Sequence, residues 1–445
     1  PYRYEALFQR AFVNMNISNQ PSLEAALRDF VTILNAVDGG RIKPADTAQG
    51  LKLNSLDQIA YCLVALDGAD LTGQSRGLDA INTYLAGYQD EDVILYVMDK
   101  AFENKRDMKL TRQSIDFLEL RMQRDPTALV NPSLVDSIVV LYYSSDTTLR
   151  PGEDRDAIRR DKYARMTNQY AKDGVWYDKN IRGKELADAE IAKQLASIRN
   201  AYRQTQIVLY EAVRTGLTEQ AYQEYRAHTN KFTAYRELFT PEVYGAYTEL
   251  LEQLYKTQPA AYDADFAAWR MNAEKEDLML LAHLADATPS DYAYRRVYDK
   301  LIGFNQAYLT PTDPEYFKNE ELAYSYALSR EEMLRDQLQG HELEALYTYQ
   351  QNATDRYVRA LRATGQPAKI EQADLLVLDM AHNAFNKDRY AEAKTRYLDL
   401  LENYPNLSNN AKYDIHINLA FIAQDDESLS QQERYRAAEQ YARQA

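Results

Sequence analysis

Five histidines, His228, His283, His341, His382 and His416, are the residues of this chain best suited to holding a metal or moving a proton near neutral pH. None stands in the H-x-x-x-H or H-E-x-x-H spacing that puts two imidazoles on one helix face around zinc. His382 and His416 are 34 residues apart, a separation that matters only if the chain is built from repeats of that length. Asp263, Asp265 and Asp291, near Trp269 and Tyr292, supply carboxyls beside aromatic rings. A glycosidic-bond acid/base pair needs those parts, with one carboxyl kept protonated by an apolar wall and another kept charged. Among 67 acidic residues such proximity singles nothing out, and the plain reading is solvated helix faces. Cys62, the only cysteine, sits in the apolar run Ile59–Val64 and reads as a small buried hydrophobe. With no Gly-rich phosphate loop, G-x-S-x-G elbow or Cys/His dyad, the residues point to no catalytic centre, no metal and no cofactor.

Chemistry of contact is better represented. The chain carries 36 Tyr against 2 Trp, and tyrosine joins a large apolar ring to a hydroxyl that tolerates the edge of water. The paired sets Tyr292/Tyr294 and Tyr324/Tyr326 are candidate partner-binding residues. A formal charge of −15, with acids and bases interleaved as in Glu153-Asp154-Arg155-Asp156, disfavours nucleic acid as a partner. No 18-residue apolar run is present that would span a bilayer as a helix, so any membrane attachment is expected outside this chain. The expected partners are other proteins.

The elements that position these residues read as helices throughout. Only 15 Gly and 13 Pro leave few tight turns for a sandwich, a barrel or a dinucleotide fold, and apolar residues recur at helical spacing from Tyr4 onward. Predicted hairpins pair the helices around Leu7 and Leu27, then Leu56–Leu66 with Gly77–Tyr88, then Asp92–Asn104 with Leu110–Arg124. A small residue followed four later by a bulky one recurs at Ala26/Phe30, Ala80/Tyr84, Ala221/Tyr225, Ala393/Tyr397 and Ala437/Tyr441, the pattern of a close helix-helix seam. Ala80/Tyr84 and Ser114/Leu118 are 34 residues apart. The middle is less regular, with breaks expected at 144–156 and 172–185. Helices are expected over Leu186–Val213, Glu219–Leu238, Pro241–Lys256, Asp263–Met271, Glu274–Ala287 and Ser290–Tyr308, then a hairpin of Glu320–Gln339 and Glu342–Ala363. Three regions follow: 1–171 of helical hairpins, 172–366 of diverged helical repeat or bundle, and 367–445 of clear repeats. The fold class is all-α, an α-solenoid of antiparallel hairpins.

From Ala381 through Tyr390 and Ala393 to Tyr397 and Pro405, the chain resembles a tetratricopeptide repeat, and Ile417–Ala420 with Tyr435, Ala437 and Tyr441 resembles a further one. The specific resemblance covers about 70 residues at the C-terminal end, with weaker echoes over 3–126. It implies a superhelical wall whose first helices line a partner-binding groove, and it places Leu375, Asp379, His382 and Phe385 on that groove. The function so implied is a non-enzymatic scaffold in a larger assembly. A start at Pro1 and an unfinished last hairpin lead us to expect a longer native protein. The tyrosine-rich, cysteine-poor repeat is similar to tetratricopeptide lipoproteins of the type IX secretion and gliding apparatus, which implies a periplasmic or outer-membrane-associated place. The alternatives are a SusD-like glycan-binding surface protein and an α/α toroid carbohydrate-active enzyme; the scarcity of Trp and Gly disfavours both.

Overall fold

A computed structural model describes residues 2–43, 45–68, 75–88, 90–240, 242–243, 260–404 and 407–445. Among the described residues there are nineteen α-helices, a π-helical turn, a 3-10 turn and no strand. The chain is all-α. It divides into two compact units, residues 1–211 with 224–267, and residues 212–223 with 268–445. The expected boundaries at 172 and 367 therefore fall inside units.

The first unit begins with α1 (Arg3–Ile17), α2 (Gln20–Asp38), α3 (Ala45–Asp67) and α4 (Arg76–Ala80), the last running straight into the π-helical turn Ile81–Leu85. Then come α5 (Glu91–Asp107), α6 (Thr111–Arg124), α7 (Asn131–Tyr143) and α8 (Arg155–Gln169), each packed on its neighbour in sequence. Local chemistry sets the starts. Asn19 Oδ1 accepts the Ser22 N–H at 3.0 Å and Pro21 sits in the first turn of α2, where its missing N–H breaks no bond. Ala26 and Phe30 are fully buried in the seam this hairpin makes, inside a core that runs from Ala11 to Phe117.

The expected break at 172–185 contains a short helix, α9 (Val175–Asn180). Trp176 there is buried, its Nε1–H bonded to Ala128 O at 2.8 Å and its ring edge-on to Tyr170. A tertiary partner 48 residues away orders a segment whose own composition reads as a loop. Beyond it α10 (Ala189–Gly216) and α11 (Glu219–Ala234) carry the aromatic core of this unit, where Tyr202 stacks on Phe232 and touches His228 and Tyr235. The expected helix Pro241–Lys256 lies outside the described residues apart from 242–243.

A further expectation is corrected: the two helices Asp263–Met271 and Glu274–Ala287 are one, α12 (Ala260–Ala287), 28 residues long. No Gly or Pro interrupts it, and Ala273, in the expected gap, is buried on the same helix face as Asp277, Leu280 and Leu284. The second unit continues through α13 (Asp291–Tyr308), α14 (Pro314–Leu334), α15 (His341–Ala363), α16 (Pro367–Asn386), α17 (Tyr390–Asn403), α18 (Asn409–Asp425) and α19 (Gln431–Gln444). Each packs on the next in sequence, and side chains also reach the helix after: Tyr326 on α14 donates to Asp286 on α12 at 2.9 Å, and Arg396 on α17 binds Asp355 on α15 at 3.0 Å. Contacts to both the first and second neighbour are what stacked hairpins require.

Candidate partner-binding site

Of the residues singled out above, Asp379 and Tyr324 come together. They line one open cavity of about 200 Å³ between α14, α15 and α16, with Leu328, Leu376 and Met380 as apolar wall and Tyr347 across from them. Three features fix these helices. Gly340 and Gly365 take left-handed backbone conformations, φ +55° and +66°, that let the chain reverse before and after α15. Buried Asn319 donates to Asn305 at 2.9 Å, Asn305 donates to Glu320 at 3.1 Å, and Arg356 closes on Glu320 at 2.8 Å, tying α13, α14 and α15. Arg396 binds both Asp355 and Glu392, while Gln351, itself in the cavity wall, donates to Glu392 at 2.6 Å, which anchors α15 to α17.

Tyr324 lies stacked on Tyr357, centroids 4.9 Å apart and planes 17° from parallel. Burial and then the Asp379 charge push its hydroxyl pKa up, so it is a neutral donor facing a carboxylate side of the cavity. At the other side Lys387 Nζ sits 3.5 Å from the Tyr347 ring centroid, and Arg389 flanks the same ring at 5.8 Å. Burial pulls the Lys387 ammonium below its ordinary value; Glu331 opposes this and Arg389 and Arg335 reinforce it.

The remaining expected contact residues are placed elsewhere. Leu375 is 54% exposed and does not line the cavity. His382 and Phe385 are half-buried against the second helix of their own hairpin, on Tyr397 and Tyr390. Tyr326 is buried with its hydroxyl on Asp286, and Tyr294 leans on its ring at 5.8 Å. Tyr292 is 66% exposed, with Arg296 over its face. Tyr347, Lys387, Arg389 and Glu331 were missed. Lys387 and Arg389 stand in the very stretch that resembles the repeat, where they read as its turn, and Tyr347 is 40 residues from Lys387 in sequence.

No group of His, Cys, Asp and Glu among the described residues is arranged to hold a metal ion. His382, whose ring lies on Tyr397, makes no ring contact with His416 among the described residues, and each keeps a buried ring nitrogen without a hydrogen bond. Asp291 is engaged by Arg330 and Arg295, while the side chains of Asp263 and Asp265 lie outside the described residues. No helix among the described residues is long and apolar enough to cross a membrane. No known family model matches the chain, and no curated protein matches it.

Proposed function

We propose that this chain is a non-enzymatic scaffold, a tetratricopeptide-like array of helical hairpins that holds a segment of another protein within a larger cell-envelope assembly of the secretion type. One observation carries the reading. Two successive hairpins leave between them an open, partly apolar cleft with tyrosine walls and polar groups of both signs, while neighbouring polar residues are locked in ion pairs and amide bonds. Rigid aromatic surface with a few oriented polar groups is what protein recognition uses. The volume suits a few peptide side chains better than a large cofactor.

Crosslinking mass spectrometry on the tagged full chain in its native host tests this. The expected result is a small set of protein partners whose crosslinks fall on 314–389. Retardation in polysaccharide gels or turnover on a glycan panel, with no protein partner recovered, would replace the scaffold with a carbohydrate-binding or carbohydrate-active protein.

A further inference from the structure

The cavity between α14, α15 and α16 has an electrical order that its role as a generic groove does not require. Asp379 and Asn383 on α16 and Lys387 at its C-cap follow one another at intervals of four, and all three line the cavity. None of the three side chains has a hydrogen-bond or ion-pair partner among the described residues, in a region where most other polar groups are paired. Glu331 and Glu344 act on the charge of Lys387 from beyond ion-pair distance. The ammonium lies over the face of Tyr347, and its N–H donors make no hydrogen bond among the described residues. Arg389, tied to Glu392 through Nη1 at 3.2 Å, likewise keeps a buried Nε–H without an acceptor. At the opposite end the Asp379 carboxylate stands beside the stacked Tyr324.

From this order we infer that the cavity reads an extended segment of a partner protein that carries a basic side chain for Asp379 and an acidic one for Lys387 and Arg389. The inference rests on the scaffold reading and names what the scaffold selects. Eight residues of helix separate the two charges by about 12 Å, which an extended chain at about 3.3 Å per residue spans in three to four residues. Asn383 stands midway, where its amide can both donate to and accept from a peptide group. A segment with both charges also fits the whole molecule: at a net charge of −15 the chain repels a purely acidic ligand, whereas a locally zwitterionic one approaches without that penalty.

The test uses the full chain and arrays of synthetic twelve-residue peptides in a Gly/Ser/Tyr background, each with one Arg and one Glu in either order at separations of one to eight residues. Fluorescence anisotropy should show binding concentrated at separations of three and four. K387E and D379K should each weaken it by about tenfold, with helical circular dichroism unchanged. The double exchange D379K/K387D should prefer peptides with Arg and Glu interchanged, a readout that general damage to the cleft cannot produce. Binding that ignores charge spacing, or survives both single exchanges, overturns the inference. So does an array without binders when native crosslinking still finds a protein partner, an outcome that leaves the scaffold reading standing; failure of both removes both.

Discussion

Two buried residues test how single side chains hold the first unit. Lys105 is fully buried and its ammonium meets Asp67 at 3.0 Å, while Asp67 also accepts the Gly77 N–H at 2.8 Å and the Ser75 hydroxyl. Burial pulls the lysine pKa down and Asp67 pulls it back up, so the pair stands only as long as both members do. Lys105→Met strands the Asp67 charge and should cost about 3–5 kcal/mol in urea denaturation; Lys105→Met with Asp67→Asn should recover part of that loss, because the amide oxygen still serves Gly77. An unchanged midpoint for the single variant would show that the pair is solvated. His228 works in the opposite direction. Its Nε2 lies 2.9 Å from Tyr202 O, a carbonyl that can only accept, and burial depresses the imidazole pKa. The unfolded chain then binds the proton more readily than the folded one, so this contribution is full above about pH 6.5 and is lost as pH falls through the lower folded value. Stability between pH 7 and 5 should fall more steeply in the parent than in His228→Gln, by up to about 1.4 kcal/mol per pH unit. Parallel curves would mean that His228 takes up its proton equally in the folded and the unfolded chain.

At the scale of elements, α4 depends on the absence of a side chain. A Cβ on Gly77 would stand 2.4 Å from the Leu63 carbonyl oxygen, a backbone atom of α3 that cannot swing aside. Gly77→Ala should therefore push α4 off α3 and lower stability by about 1–3 kcal/mol; a melting temperature equal to the parent would show that the two helices part freely. This close approach also marks where the sequence was readable. The small-then-bulky pattern identified Ala26/Phe30 and Ala393/Tyr397 as seams, and all four residues are fully buried. Ser290 was legible as a cap and accepts the Ala293 N–H at 3.1 Å. What failed was long range. Trp176 looked like loop because the carbonyl that orders it belongs to Ala128, 48 residues away in sequence. Of the residues that line the cavity, Asp379 was singled out through the repeat resemblance and Tyr324 as one of a tyrosine pair. Lys387 was not, because a lysine in a turn is ordinarily solvated and its partner ring, Tyr347, is set by the packing of α15 on α16.

For the whole molecule, chain order and compact units do not coincide. Residues 212–223 belong with 268–445, although the chain returns to the first unit for 224–267 before it enters the second for good. That twelve-residue insertion supplies buried chemistry to its unit. Tyr222 donates to Asp277 at 2.8 Å, where Asp277 is 1% exposed and is also paired with Lys300, and Arg296 is held over the Tyr222 ring while it binds Glu219 at 2.9 Å. Tyr222→Phe keeps the ring under Arg296 and removes only the hydroxyl, so it should destabilise locally by about 1–3 kcal/mol. Hydrogen exchange read by mass spectrometry distinguishes two forms of cooperativity. If each unit holds its own core, exchange rises in α12 and α13 while α2, α3 and α5 stay protected, because their apolar cluster contains no residue beyond Phe117. If protection falls across 3–124 as well, the helices whose residues are divided between the units, α10, α11 and α12, bind them into a single folding block. The division of the chain would then describe geometry alone. We expect the first outcome, since the Tyr222 hydroxyl donates to Asp277, a residue of its own unit.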